Sequence, residues 1–321
     1  RNSNPRAKII AGNSVASSIP ETLMEHTEVD IGVKGEADET IVDILNAFKN
    51  KIDLDVNIGG LSYNLKKYKA PEIAIVAVGV DQLFRVTTDL LIAGTKRILI
   101  EKPGGINLKE IQLINKLAIK KNAQLFVAYN RRFYQSVTYL RKCLKKDGGP
   151  ISLHFEFTEW QNKIKSSSSN AKVKRHWLTA NSSHVIDLAF HLCGKPDKWK
   201  YYKKGKLKWH PNSARFCGSG ITKKGTLFSY LADWEGPGRW GLEILTKKNR
   251  YILRPMEELQ VIKLNKTKIQ KVSIPNKIDK EFKPGIFLQV ENFIKKNNSF
   301  FCEISEQLKN MKIFYKIAGY K

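Results

Sequence analysis

The sequence predicts two joined architectures: an α/β unit on a parallel sheet, atypical at its N-terminal end, then an α+β unit with a large, mostly antiparallel open sheet. Three observations predict this. Short apolar runs alternate with helical patterns between residues 71 and 130, a Gly-Gly-Pro break stands at 148–150, and strands alternating apolar with polar residues dominate after it. Strand–helix–strand–helix–strand with short links requires a parallel sheet covered by helices, because each crossover helix must bury its apolar stripe. Alternation marks a sheet with one face buried and one exposed.

In chain order, AKIIAG (7–12) and VDIGVKG (29–35) read as short buried strands, ETIVDILNAFKN (39–50) as an amphipathic helix, and GGLSYNL (59–65) as a strand or hairpin arm. EIAIVAVG (72–79) is an apolar strand. DQLFRVTTDLLIAG (81–94) has apolar residues at helical spacing and a glycine just past its end, where a left-handed residue closes a helix. RILIEK (97–102) is a strand ending in charge, and QLFVAYN (124–130) is a third. Between them, NLKEIQLINKLAIKKN (107–122) is a helix for Asn107 to cap, with Glu110 three residues on as in a capping box. Beyond the break, ISLHFEFTEW (151–160), SARFCGSGI (213–221), GTLFSYLADW (225–234), WGLEILTKKNRYILRP (240–255) and LQVIKL (259–264) read as strands. Helices are expected at 183–193, 286–296 and 304–318, and a loop at SSSS (166–169). The domain boundaries that follow are 1–68, 69–148 and 149–321.

Composition narrows the classes. In 321 residues, 42% apolar and 27% charged, no run approaches the roughly 18 apolar residues of a membrane span. No apolar signal core follows the RNSNPRAK start, so a cytoplasmic protein is expected. Cys143, Cys193, Cys217 and Cys302 are far apart; that spacing suggests neither a zinc nor an iron–sulfur site, and no metal is expected. Lys and Arg number 56 against 30 Asp and Glu, a net charge of +26. The lysines are spread in pairs along the whole chain without a recognition-helix or aromatic–basic platform, so a solvated basic surface is favoured over nucleic-acid binding.

Three constellations carry chemistry. EKPGG (101–105) puts Lys102 at the carboxyl end of a parallel strand, where doubly wound sheets hold ligands and where a lysine can help move a hydroxyl proton. YNRRF (129–133) offers Asn130 as a neutral amide, with Arg131 and Arg132 to hold a carboxylate or phosphate. In NSSHVIDLAFHLCG (181–194), Val185, Leu188, Ala189 and Leu192 form one apolar stripe. His184, Asp187 and His191 fall on a neighbouring face, and Asn181 or Ser182 stands where a cap is needed. A histidine in a first turn suits general acid–base work; a core histidine paired with Asp187 is the plainer alternative.

In this order and spacing, EKP, YNRRF and HVIDLAFHLCG resemble the Gfo/Idh/MocA oxidoreductases, from about residue 70 to the end. The resemblance implies a Rossmann-like half with a substrate and oligomerisation domain. It also implies hydride transfer between NAD or NADP and the hydroxyl or ketone of a sugar, sugar nucleotide or polyol. Lys102 would be the catalytic lysine and His184 the catalytic histidine. Ala77, Val78, Gly79, Glu101, Lys102 and Asn130 would lie along the nicotinamide side of the cofactor, with Asn181, Arg131 and Asp187 on the substrate side. Many members place an aspartate four residues before the histidine; here Ala180 stands, beside Asn181, which can hydrogen-bond a hydroxyl but cannot act as a base.

The start of the chain departs further. No GxGxxG precedes residue 72, and GNSVASS (12–18) lacks glycines where backbone must approach a pyrophosphate. Residues 7–68, with GEADET (35–40), resemble part of the cobalamin-binding domain of radical SAM enzymes, without its DxHxxG ligand motif. The alternative to an enzyme is therefore a non-catalytic or truncated fusion lacking a complete dinucleotide site; a corrinoid-binding protein ranks below it. The one-face-apolar sheet suggests burial in a homo-oligomer.

Overall fold

The computed structural model describes residues 10–11, 31–32 and 70–321. The helix expected at 39–50 and the strand expected at 59–65 lie outside the described residues, as does most of the segment likened to a cobalamin-binding domain. Two compact units emerge. The first holds the described residues up to Ala128 with Phe293–Lys295 and Cys302–Gln307; the second holds Tyr129–Asn292, Lys296–Phe301 and Leu308–Lys321.

In the first unit, β1 (Ile10–Ala11) and β2 (Ile31–Gly32) pair in parallel. β3 (Ile73–Val76), β4 (Arg97–Glu101) and β5 (Gln124–Ala128) form a parallel sheet, with Val76 opposite Ile100 and Glu101 opposite Ala128. Ile98, Leu99 and Ile100 are buried, as a central strand covered on both faces must be. The helix Leu83–Ala93 ends at Gly94, whose φ of 108° lets its N–H reach back to the Leu90 and Leu91 carbonyls. The helix Leu108–Lys120 buries Ile111, Ile114 and Ala118. The Asn107 side chain accepts from Glu110 N–H at 2.9 Å, while the Glu110 carboxylate accepts from Ile106 N–H, one residue further back than in the usual capping box. The short strand Cys302–Glu303, unforeseen in the sequence, adds antiparallel to β5.

The second unit is built on an eight-stranded sheet in the order β13-β12-β11-β10-β6-β9-β8-β7. Its strands are β6 (Ser152–Glu156), β7 (Pro196–Lys204), β8 (Arg215–Thr222), β9 (Leu227–Asp233), β10 (Gly241–Leu245), β11 (Asn249–Leu253), β12 (Gln260–Lys263) and β13 (Gln270–Lys271). Only β6 and β9 pair in parallel; the other neighbours are antiparallel. Residues 240–255, read as one strand, are a hairpin, because Thr246 turns the chain: its hydroxyl accepts from the N–H groups of Lys248 and Asn249. β7, a Lys-rich strand, escaped the pattern because an edge strand need not bury alternate residues. The helix Gln135–Lys146 also has no counterpart among the expected elements, although its buried Val137, Leu140 and Leu144 lie at helical spacing.

The covered face of the sheet carries the aromatic core. Phe155 and Phe228 meet Phe190 edge-on at 5.4 and 5.2 Å between ring centres, and Phe155 stacks with Tyr230 at 5.3 Å. Phe190 belongs to the helix Ser183–Cys193, which is buried on every side apart from His191, rather than along one stripe. The opposite face exposes Leu227 and Leu231.

Candidate active site

The first unit brings its expected residues to one edge. Ala77, Val78 and Gly79 follow β3, Glu101 ends β4 and Lys102 follows it; parallel strands in register release all five at the same carboxyl edge. Ala77, Val78, Glu101 and Lys102 are half-buried and Gly79 is exposed. The Lys102–Pro103 peptide is cis, and Gly104 N–H closes the turn on Glu101 O at 2.9 Å. Gly104 has a φ of 86°, and a Cβ there would stand 3.2 Å from Ile111 and Val127 side-chain carbons. The turn is thus pressed onto its own sheet and helix, and the Pro103 carbonyl accepts from Gln307 Nε2 at 2.8 Å. Exposed glycine backbone thus stands beside a carboxylate and an ammonium at the carboxyl edge, where open α/β sheets hold ligands.

The second unit gathers the others. Asn130 and Arg131 leave β5 in a single 3-10 turn, and Asn130 Nδ2 donates to Pro284 O at 3.0 Å. His184 is buried, with Tyr129 edge-on at 5.9 Å and Trp240 tilted at 6.1 Å. The Arg131 and Arg239 guanidiniums each lie 4.6 Å from the Trp240 ring centre, a cation–π arrangement beside the histidine.

Asp187 is placed differently. Its carboxylate accepts from Arg132 Nε at 2.7 Å and Nη2 at 2.6 Å, and from Asn310 Nδ2 at 3.0 Å, with both charged side chains essentially inaccessible to water. Arg132 also donates to Phe300 O. A two-pronged pair of this kind holds the Ser183–Cys193 helix from inside, so Arg132 grips a protein carboxylate rather than an incoming one. Nor does Asn181 or Ser182 cap the helix: Leu178–Ser182 is a wide π turn running directly into it, and both side chains turn to Glu159.

Glu159 was missed in the sequence, and the signal was there. Leu153, Phe155 and Phe157 set the inward phase of ISLHFEFTEW, and Glu159 is the next residue in that phase. Its buried carboxylate accepts from Ser182 Oγ at 2.7 Å and from Asn181 Nδ2 at 3.1 and 3.2 Å, with Arg239 Nη1 at 3.6 Å. Burial raises its pKa above the ordinary carboxylate value, against the pull of Ser182, Arg239 and Asn181.

A parallel α/β unit carrying a lysine at its carboxyl edge, with a second unit of one large open sheet, makes a Rossmann-like two-domain fold. No family model matches the chain, and no curated protein matches it in sequence. Solved structures do. UDP-N-acetylglucosamine 3-dehydrogenase from Acidithiobacillus ferrooxidans is similar over 97% of this chain and 95% of its own, with a TM-score of 0.68 and 12% identity. An oxidoreductase from Agrobacterium radiobacter, in complex with NAD+, L-tartaric acid and magnesium, covers 98% and 96% at a TM-score of 0.71 and 12% identity. Levoglucosan dehydrogenase, in complex with NADH and levoglucosan, covers 98% and 96% at 0.70 and 15% identity. The likeness establishes the fold.

Proposed function

We propose that the chain is an NAD(P)-dependent oxidoreductase acting by hydride transfer on a hydroxyl or ketone of a sugar, sugar nucleotide or polyol. The observation that carries this reading is Lys102, set by a tight turn at the carboxyl edge of the parallel sheet beside Ala77–Gly79. Bound nicotinamide would supply the hydride acceptor or donor. Lys102 would hold the substrate hydroxyl, take or return its proton and stabilise charge developing on the oxygen. His184 would assist the proton transfer from between the rings of Tyr129 and Trp240. Asn181 and Arg131 would face the substrate, with Asp187 kept for the helix. Residues 69–148 would serve the nucleotide and 149–321 the substrate and a second subunit. The near-complete coverage of both chains in each match does not favour a truncated fusion. Two of the similar proteins were crystallised with NAD+ or NADH, and one of these with levoglucosan, which supports the cofactor and the substrate class.

Cofactor titration tests the reading. NADH or NADPH at about 100 times its Kd should stabilise the chain by about 2.7 kcal/mol, seen as a higher melting temperature. An unmoved melting temperature at millimolar concentrations of NAD(H) and NADP(H) would overturn it. Exposed Leu227 and Leu231 on the open sheet face favour a homo-oligomer, and a monomeric mass by light scattering would contradict that. Among the described residues no helix is long and apolar enough to cross a membrane.

A further inference from the structure

We infer that Glu159 is a positioning residue that holds the Asn181 amide with its NH2 group inward, so that Asn181 Oδ1 is the acceptor offered to a substrate hydroxyl. The second half rests on the oxidoreductase reading; the first does not.

A carboxylate has lone pairs and no proton, so it can only accept. Asn181 Nδ2 lies 3.1 and 3.2 Å from the two oxygens of Glu159, and a flipped amide would set oxygen against oxygen there. The carboxylate is built for the task. It is buried three residues past the end of β6, in the strand's inward phase, and Ser182 Oγ donates to the same oxygen that receives Asn181. Arg239, half-exposed, is the charged group against it. Ser182 and Asn181 occupy the wide turn that delivers His184, three residues beyond Asn181, so the carboxylate ties the start of that helix to the sheet. Asn181 itself is only half-buried. With its donor end held, the remaining polar atom is Oδ1, an acceptor that favours a hydroxyl over a ketone or ether oxygen at that position. Ala180 offers no carboxylate for this purpose, and the neighbouring amide has only this one orientation available while Glu159 is ionised.

X-ray density does not distinguish the oxygen and nitrogen of an amide, so the test is NMR on the full chain labelled with 15N-asparagine. The Asn181 side-chain NH2 signal is identified by its loss in Asn181→Ser. On acidification from pH 8 this signal should move with a midpoint above the ordinary carboxylate value, as protonation of Glu159 gives the carboxyl a donor. In Glu159→Gln the movement should vanish. A wild-type signal indifferent to pH, or one that titrates unchanged in Glu159→Gln, overturns the inference, and the wild-type titration stands even if the variant fails to fold. For the functional half, a panel of pyranoses and cyclic polyols is assayed with NAD+ and NADP+. With any sugar turned over, Glu159→Leu, which removes the acceptor, should raise KM about tenfold, the loss of one ordinary hydrogen bond, with kcat lowered less. A KM unchanged in that variant overturns the role given to Oδ1. Absence of NAD(H) and NADP(H) binding overturns the enzyme reading, and with it that role, without touching the amide titration, so the two failures are told apart.

Discussion

Replacing Asp187 by Asn keeps the shape of the side chain and removes its charge, so the buried Arg132 guanidinium loses the carboxylate that holds it with two hydrogen bonds. The native pair makes two hydrogen bonds of 2.7 and 2.6 Å, and the two side chains are 1% and 0% exposed, so water cannot take over. Removing one partner from such a buried pair costs about 3–5 kcal/mol. For a unit of this size each kcal/mol lowers the melting temperature by about 2–4 °C, so a fall of about 6–20 °C is expected. Calorimetry on wild type and Asp187→Asn measures it. The double variant Arg132→Met/Asp187→Leu, with neither charge of the pair left to bury, should recover most of the loss. A single variant within about 1 kcal/mol of wild type, or a double variant as unstable as the single, would refute a structural pair and return Asp187 to the substrate side.

Other perturbations separate chemistry from packing. Lys102→Ala should cut turnover by about 10²–10⁴-fold while NADH binding persists, and equal activity would remove the role assigned to the lysine. His184→Ala should cost less and change the pH profile of kcat, which stopped-flow or steady-state assays would follow. His210 supplies a pH test of stability. Ser213 O, 2.7 Å from its Nδ1, can only accept, so Nδ1 carries the proton and Nε2 accepts from the Tyr320 hydroxyl. Burial lowers its pKa to about 4. The unfolded chain therefore takes up a proton that the folded chain refuses, and stability falls as pH drops from about 6.5 towards 4, by on the order of 3 kcal/mol over the whole window. His210→Asn should flatten denaturant midpoints across that range; an unchanged slope would contradict the assignment.

Local pattern made much of this protein legible. Gly94 closes its helix in the left-handed region and Asn107 caps the next, because both depend on residues within one turn. The carboxyl-edge position of Lys102 was legible for the same reason, since a strand ending in charge followed by Pro-Gly-Gly specifies an exit from a sheet. What failed was pairing at a distance. Asp187 stood at the right helical spacing for His184, yet its partner is Arg132, 55 positions away, because a guanidinium meets a buried carboxylate with two bonds where imidazole offers one. Asn181 looked like a cap until the sheet brought Glu159 against it from 22 positions away.

By itself, then, the sequence determined the kind and order of most described elements and the edge at which Lys102 stands, since these follow from periodicity and turn chemistry. Only the tertiary structure decided which polar side chains remain available for a ligand. That choice is made by burial: once water is excluded, each carboxylate and amide must find a partner within the protein, and the nearest one in space is seldom near in sequence.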